Sequence, residues 1–217
     1  MKIKIFTLLF FLIAIFSIDK ISAKSNLSLL GKIIVIDPGH GAEDPGASRG
    51  DILEKDINLA ISLELEKELS KKGAIVIMTR DDDYDLSKPN AMWRKKSDFD
   101  NRIKLINNSG TNLYISIHLN SLLQTEYDGA QVFYNKNSEI SMSIARVIQE
   151  TINEELKGDR MIKRIPADTY MYSQLTPPGV LIECGFLSNY NERGKLVTSE
   201  YQKKIATAIA NGVEKYI

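Results

Sequence analysis

The sequence predicts one α/β domain: a mostly parallel, twisted central sheet of about six strands, with helices on both faces. Three observations carry this reading. Short runs of branched apolar residues recur at 33–36, 74–78, 113–117 and 179–182, as in strands buried on both faces. Between them lie stretches whose apolar residues recur at helical spacing. The first strand, helix and second strand have the length of a parallel crossover unit, for which a right-handed connection is the rule. The chain of 217 residues, 43% hydrophobic and 26% charged, is long enough for one substantial core, and no internal repeat or second domain is visible.

In chain order, residues 33–36 (Ile-Ile-Val-Ile) form the first strand, which Pro38 and Gly39 stop. A Gly-rich loop, 41–50, leads to a helix opening at Glu54-Lys55-Asp56. Ile57, Ile61, Leu65 and Leu69 form its inner stripe, and Lys71-Lys72-Gly73 ends it. The strand 74–78 follows. Residues 81–92 are polar, contain Pro89 and read as a long loop bordering a substrate groove. A helix is predicted over 93–108, with Phe99, Ile103 and Ile106 inward and Gly110 beyond its end. Then come the strand 113–117, a loop 119–128, a strand 129–134 and a long helix to about 156, capped by Ser138. Residues 157–160 form a turn, and Tyr170-Met171-Tyr172 reads as a short strand. Residues 179–182 form another buried strand. A loop and short helix span 189–196, and a last helix spans 201–216 with Ile205, Ala208, Ile209 and Val213 facing in.

Ahead of the domain, Lys2 and Lys4 precede an apolar run from 5 to 18, interrupted by Thr7 and Ser17. A basic start and a short apolar run form the pattern of a secretory signal. As a helix, 14 residues span about 21 Å, short of the ~30 Å hydrocarbon core. Residues 1–23 therefore read as a signal peptide or, if retained, an N-terminal membrane anchor. Residues 24–31 read as a linker, and 32–217 as the catalytic domain. Either way the domain works outside the cytoplasmic membrane. Net formal charge is zero, which gives no electrostatic case for nucleic acid. A lone cysteine, Cys184, excludes an internal disulfide framework, a Cys-based zinc cluster and an N-terminal lipid anchor, and reads as packed core.

The chain has two histidines, His40 and His118, and each follows a predicted buried strand. In open α/β sheets, ligand sites form beyond the carboxyl ends of strands. A third strand ends at Glu183. Two histidines and one carboxylate make an established catalytic zinc set, leaving one coordination position open while another carboxylate serves as general base. Glu54, 13 residues past His40, is placed to complete the metal set from the loop side, and Glu183 to act as base across the opening. The residues alone leave that division open: Glu54 also suits a helix N-terminus, and Glu183 could be a buried paired carboxylate. Arg80 and Arg102 read as structural ion-pair partners. No His-Glu-x-x-His signature is present, and Gly39-x-Gly41 fails as a dinucleotide loop because Asp44 stands at the third glycine position.

The motifs Ile36-Asp37-Pro38-Gly39-His40-Gly41, Asp44-Pro45-Gly46-Ala47, Glu54-Lys55-Asp56, Thr79-Arg80, Ser116-Ile117-His118-Leu119-Asn120 and Glu183-Cys184-Gly185-Phe186-Leu187-Ser188-Asn189 occur in this order. Together they resemble the zinc-dependent N-acetylmuramoyl-L-alanine amidases of the Amidase_3 family, over essentially everything from Lys32 onward. The resemblance implies cleavage of the amide between the lactyl group of muramic acid and the L-alanine of the stem peptide. It also implies one Zn²⁺ per chain on His40, Glu54 and His118, with Glu183 as the catalytic glutamate. Asn120, just past a ligand, is expected to hydrogen-bond substrate. Trp93-Arg94-Lys95-Lys96, Asp98 with Asn101-Arg102, and Gly129-Ala130-Gln131 with Phe133-Tyr134 are similar to the germination-specific sporulation branch. That branch implies spore-cortex peptidoglycan as substrate, muramic-δ-lactam formation as outcome, a location between the membranes of the forming spore, and room for an activating protein partner. Ala42 stands where members commonly have Gly, and Gly179 where Ala is common.

Overall fold

A computed structural model describes residues 27–135, 138–167 and 169–217. The segment read as signal or anchor, 1–23, lies outside the described residues. Six strands form the main sheet: β1 (Ile33–Pro38), β4 (Ile75–Met78), β5 (Leu113–Asn120), β6 (Gln131–Tyr134), β7 (Lys163–Arg164) and β8 (Gly179–Phe186). Their order is β4-β1-β5-β8-β6-β7. The first four are parallel, and β6 runs antiparallel to β8. A small hairpin of β2 (Ser48–Arg49) and β3 (Ile52–Leu53), not foreseen in the Gly-rich loop, turns at Gly50-Asp51.

Alternation along each strand divides the core. Ile34, Ile36, Leu113, Ile115, Ile117, Val180 and Ile182 face one side. There they meet α1 (Glu54–Lys71) and α6 (Ser199–Tyr216) through the stripes expected from their spacing, and α3 (Glu139–Leu156) through Ile144, Ile148 and Ile152, while Ile140 is exposed. Ser138 caps α3 by accepting from the Ser141 amide at 3.1 Å. Val35, Tyr114 and Leu181 point to the opposite face. That face is covered by α2 (Arg94–Asn108) and the short α4 (Tyr170–Ser173), while α5 (Tyr190–Leu196) follows β8. The strand predicted at Tyr170-Met171-Tyr172 is thus a helical turn. Two successive residues, Met171 and Tyr172, bury together, which the two-residue alternation of a one-faced strand would not permit. The edge position beside β6 belongs instead to Lys163–Arg164.

Residues 27–31, read as part of the linker, make a turn on the domain. Leu29 is fully buried, and its amide donates to the Lys72 carbonyl at 2.9 Å. Among the described residues no helix is long and apolar enough to cross a membrane.

Gly179 lies directly opposite Tyr114 in the β5–β8 register. A Cβ at 179 would stand 2.2 Å from the buried Tyr114 ring, so ring and glycine fill one space together. Gly179→Ala is expected to cost about 1–3 kcal/mol by overpacking, a fall of about 2–12 °C in Tm. Adding Tyr114→Val should recover part of it, as thermal unfolding of the single and double variants will read.

Candidate active site

From β1 the chain moves outward to β4, and from β5 it moves outward the other way, to β6. The crevice beyond the carboxyl ends of β1 and β5 is therefore a topological switch point, where open α/β sheets place ligands. His40 stands just beyond β1. His118 lies near the end of β5 and pairs in register with Glu183 of β8. Glu54 enters from the first turn of α1.

The imidazoles of His40 and His118 meet edge-to-face with ring centroids 5.0 Å apart. His40 Nε2 lies 3.2 Å from Glu54 Oε1, and His118 Nδ1 lies 3.1 Å from the same oxygen. One donor atom from each residue falls within 4.8 Å of the others, an arrangement that could hold a metal ion. Gly39 permits it, since a Cβ there would collide with the His118 ring at 2.2 Å. Glu54 is oriented by the Ala47 amide on Oε2 (2.8 Å), and on Oε1 by the Leu119 amide (3.1 Å) and Asn58 Nδ2 (3.3 Å). Burial opposes its ionisation, but hydrogen bonds from both histidines outweigh that and hold its carboxyl well below the usual range. Burial likewise works against the His40 imidazolium, yet Asp44 and Glu54 raise its pKa to about 9.

Glu183 differs. Its Oε2 is sealed from solvent and has no hydrogen-bond partner. Burial raises its pKa to about 7, against the opposing pull of His118. A carboxyl poised there, next to converging ligand atoms, suits proton transfer. The β5–β8 ladder shifts register just past it, between the His118–Glu183 and Asn120–Phe186 pairs. Asn120 is half-buried at the end of β5, and its carbonyl accepts from Leu187 at 2.8 Å. Beside the histidines lies a cavity of about 180 Å³, walled by Phe99, Thr169, Met171 and Tyr172.

Several supporting residues escaped the sequence reading. Asp44 Oδ2 lies 3.0 Å from His40 Nδ1, leaving Nε2 to face Glu54. Asn58 lies one helical turn past Glu54, a spacing that could have revealed it. Arg102 does pair with carboxylates, Asp37 at 2.7 Å and Asp98 at 2.9 Å, as expected. It also donates to the carbonyls of Pro38 (2.8 Å) and His40 (2.7 Å). Arg80 donates to those of Pro38, Gly39, Lys55 and Asp82. The two guanidiniums clamp the turn in which His40 takes a left-handed φ of 64°, a conformation costly for a residue with a Cβ. Arg102→Met leaves the Asp37 carboxylate buried without its cation. Denaturant unfolding is expected to show a loss of about 3–5 kcal/mol.

The sequence profile of the N-acetylmuramoyl-L-alanine amidase family, Amidase_3, matches residues 34–215. The chain belongs to this family. The germination-specific N-acetylmuramoyl-L-alanine amidase of Bacillus subtilis (strain 168) is 42% identical over 195 residues, covering 88% of this chain and 82% of that one. The CwlD amidase of Clostridioides difficile, solved in complex with the GerS lipoprotein, superposes with a TM-score of 0.81 at 41% identity, covering 86% of this chain and 98% of that one. An N-acetylmuramoyl-L-alanine amidase from Clostridium difficile 630 gives a TM-score of 0.76 at 32% identity, covering 85% and 96%. This amidase chain shares its fold with both solved amidases over nearly their whole length.

Proposed function

We propose that this amidase hydrolyses the amide between the muramic acid lactyl group and L-alanine in spore-cortex peptidoglycan, preparing it for muramic-δ-lactam formation. The observation that carries the reading is the convergence of His40 Nε2 and His118 Nδ1 on Glu54 Oε1, with the buried, unpartnered Oε2 of Glu183 in register beside His118. Two imidazoles and one carboxylate suit Zn²⁺, and three protein ligands leave a position open for chemistry. A zinc ion on these residues supplies Lewis acidity toward an amide carbonyl and toward water. Glu183 accepts the proton of the attacking water and returns it to the departing alanine nitrogen. Asp44 and Asn58 hold His40 and Glu54 in position. Asn120, at the rim, hydrogen-bonds the substrate.

Residues 1–23 export the chain, as a cleaved signal or a retained anchor, to the space between the membranes of the forming spore. An activating protein partner belongs to this reading as well, because the CwlD amidase of Clostridioides difficile was solved with a lipoprotein bound. The test is digestion of purified cortex-type peptidoglycan, with and without added zinc, followed by mass spectrometry. New N-terminal alanine, dependent on zinc, is the expected product. Release of a C-terminal residue or of acetate instead would mark another zinc amidohydrolase and overturn the reading.

A further inference from the structure

The His118 atom that faces Glu54 is Nδ1, which leaves its Nε2 to be accounted for. That nitrogen lies 3.4 Å from the hydroxyl of Tyr172, at the long end of hydrogen bonding. The Tyr172 hydroxyl lies 3.0 Å from Ser116 Oγ, and Ser116 Oγ lies 2.8 Å from Asp37 Oδ2. The other Asp37 oxygen accepts from Thr79 and Arg102, both at 2.7 Å. All three links, Tyr172, Ser116 and Asp37, are buried.

Donor accounting fixes the direction of this chain. Burial works against Asp37 ionising, but Arg102, Thr79 and Ser116 hold its carboxyl below the usual range, so it only accepts. Ser116 must therefore donate to it, and the Ser116 oxygen is left to accept from Tyr172. With its own proton so used, the Tyr172 oxygen accepts, and its partner Nε2 must carry a hydrogen. An imidazole that keeps its hydrogen on Nε2 can give the Nδ1 lone pair to a metal that takes the place of the Nδ1 hydrogen bond to Glu54.

We propose that Tyr172, through Ser116 and Asp37, is a positioning residue that fixes His118 in the Nε2–H tautomer and ring orientation needed for metal binding at Nδ1. The proposal rests on the metal-centre reading above. It assigns a role to α4, an element whose type the sequence misjudged.

The test measures zinc affinity of the full chain by competition with a chromophoric chelator. Tyr172→Phe keeps the ring and removes one oxygen, so packing alone predicts no change. The relay predicts affinity about 10–100-fold weaker, the usual effect of losing a partner behind a metal ligand. Cobalt(II) in place of zinc should show a shifted visible spectrum in the same variant. Ser116→Ala breaks the relay one link further on and guards against a Tyr172→Phe chain that does not fold. Its affinity should fall in the same range, and the double variant should bind no worse than the weaker single one. Equal affinity in wild type and Tyr172→Phe, or strictly additive losses, would overturn the relay alone. A wild-type chain that binds no zinc would overturn the metal centre and the relay together. Tight zinc binding without peptidoglycan cleavage would overturn only the proposed reaction.

Discussion

Glu183→Gln is expected to lower turnover on peptidoglycan by about 10²–10⁴-fold, the usual contribution of a positioned general base, while zinc content stays at the wild-type level. Glutamine matches glutamate in shape but cannot take a proton from water. It leaves the β8 strand and its pairing with His118 untouched. Metal analysis beside a fragment assay separates the two effects, and full turnover in this variant removes Glu183 from its role. In the role proposed for it, the same carboxyl shapes the pH profile. It must be ionised to act, so the rate falls as pH drops through its pKa. Burial, against the pull of the neighbouring histidines, would put that point at about 7, and the positive charge of a bound metal moves it down. The acid limb is therefore expected between the ordinary value of 4.5 and 7. Stability of the metal-free chain runs the other way. A carboxyl whose folded pKa lies above its unfolded one costs stability as pH rises through that window. Glu183→Gln should remove this loss, as melting curves across that range will show.

His118→Ala is expected to abolish zinc retention and, with it, turnover. Structural zinc sites with four ligands supply about 10–16 kcal/mol, so each ligand accounts for about 3 kcal/mol, two to three decades of affinity. The remaining pair, His40 and Glu54, cannot enclose the ion alone. Chelator competition reads the loss directly, without reference to activity. The fold should persist: His118 lies at the rim of the sheet rather than in either apolar core, and Ala keeps the β5 backbone pairing. Wild-type zinc content in His118→Ala would remove this residue from the ligand set.

The strands legible in the sequence were those with runs of branched apolar residues, because burial on both faces leaves no room for polar alternation. The stripe from Ile57 to Leu69 gave α1, and Ser138 marked the start of α3. The reading failed where local signals were weak. Lys163–Arg164 joins the sheet at its edge through backbone pairing with β6, and its exposed charged side chains carry no strand pattern. Tyr170–Ser173 looked extended because its aromatic residues have high strand propensity, yet packing against α2 decided otherwise.

By itself, the sequence determined the fold class and its main strands; it singled out His40, His118 and Glu183, since ionisable residues at the ends of buried apolar runs are costly to place without a purpose, and Glu54 through its place past His40 and in the family motifs. It left open which nitrogen of each imidazole faces the centre, which glutamate touches both rings, and what braces them. Only the tertiary structure decided these. Tyr172, Arg80 and Arg102 act through hydrogen bonds that cross between strands, helices and loops. Such bonds depend on distances between elements, and spacing along one chain does not encode them.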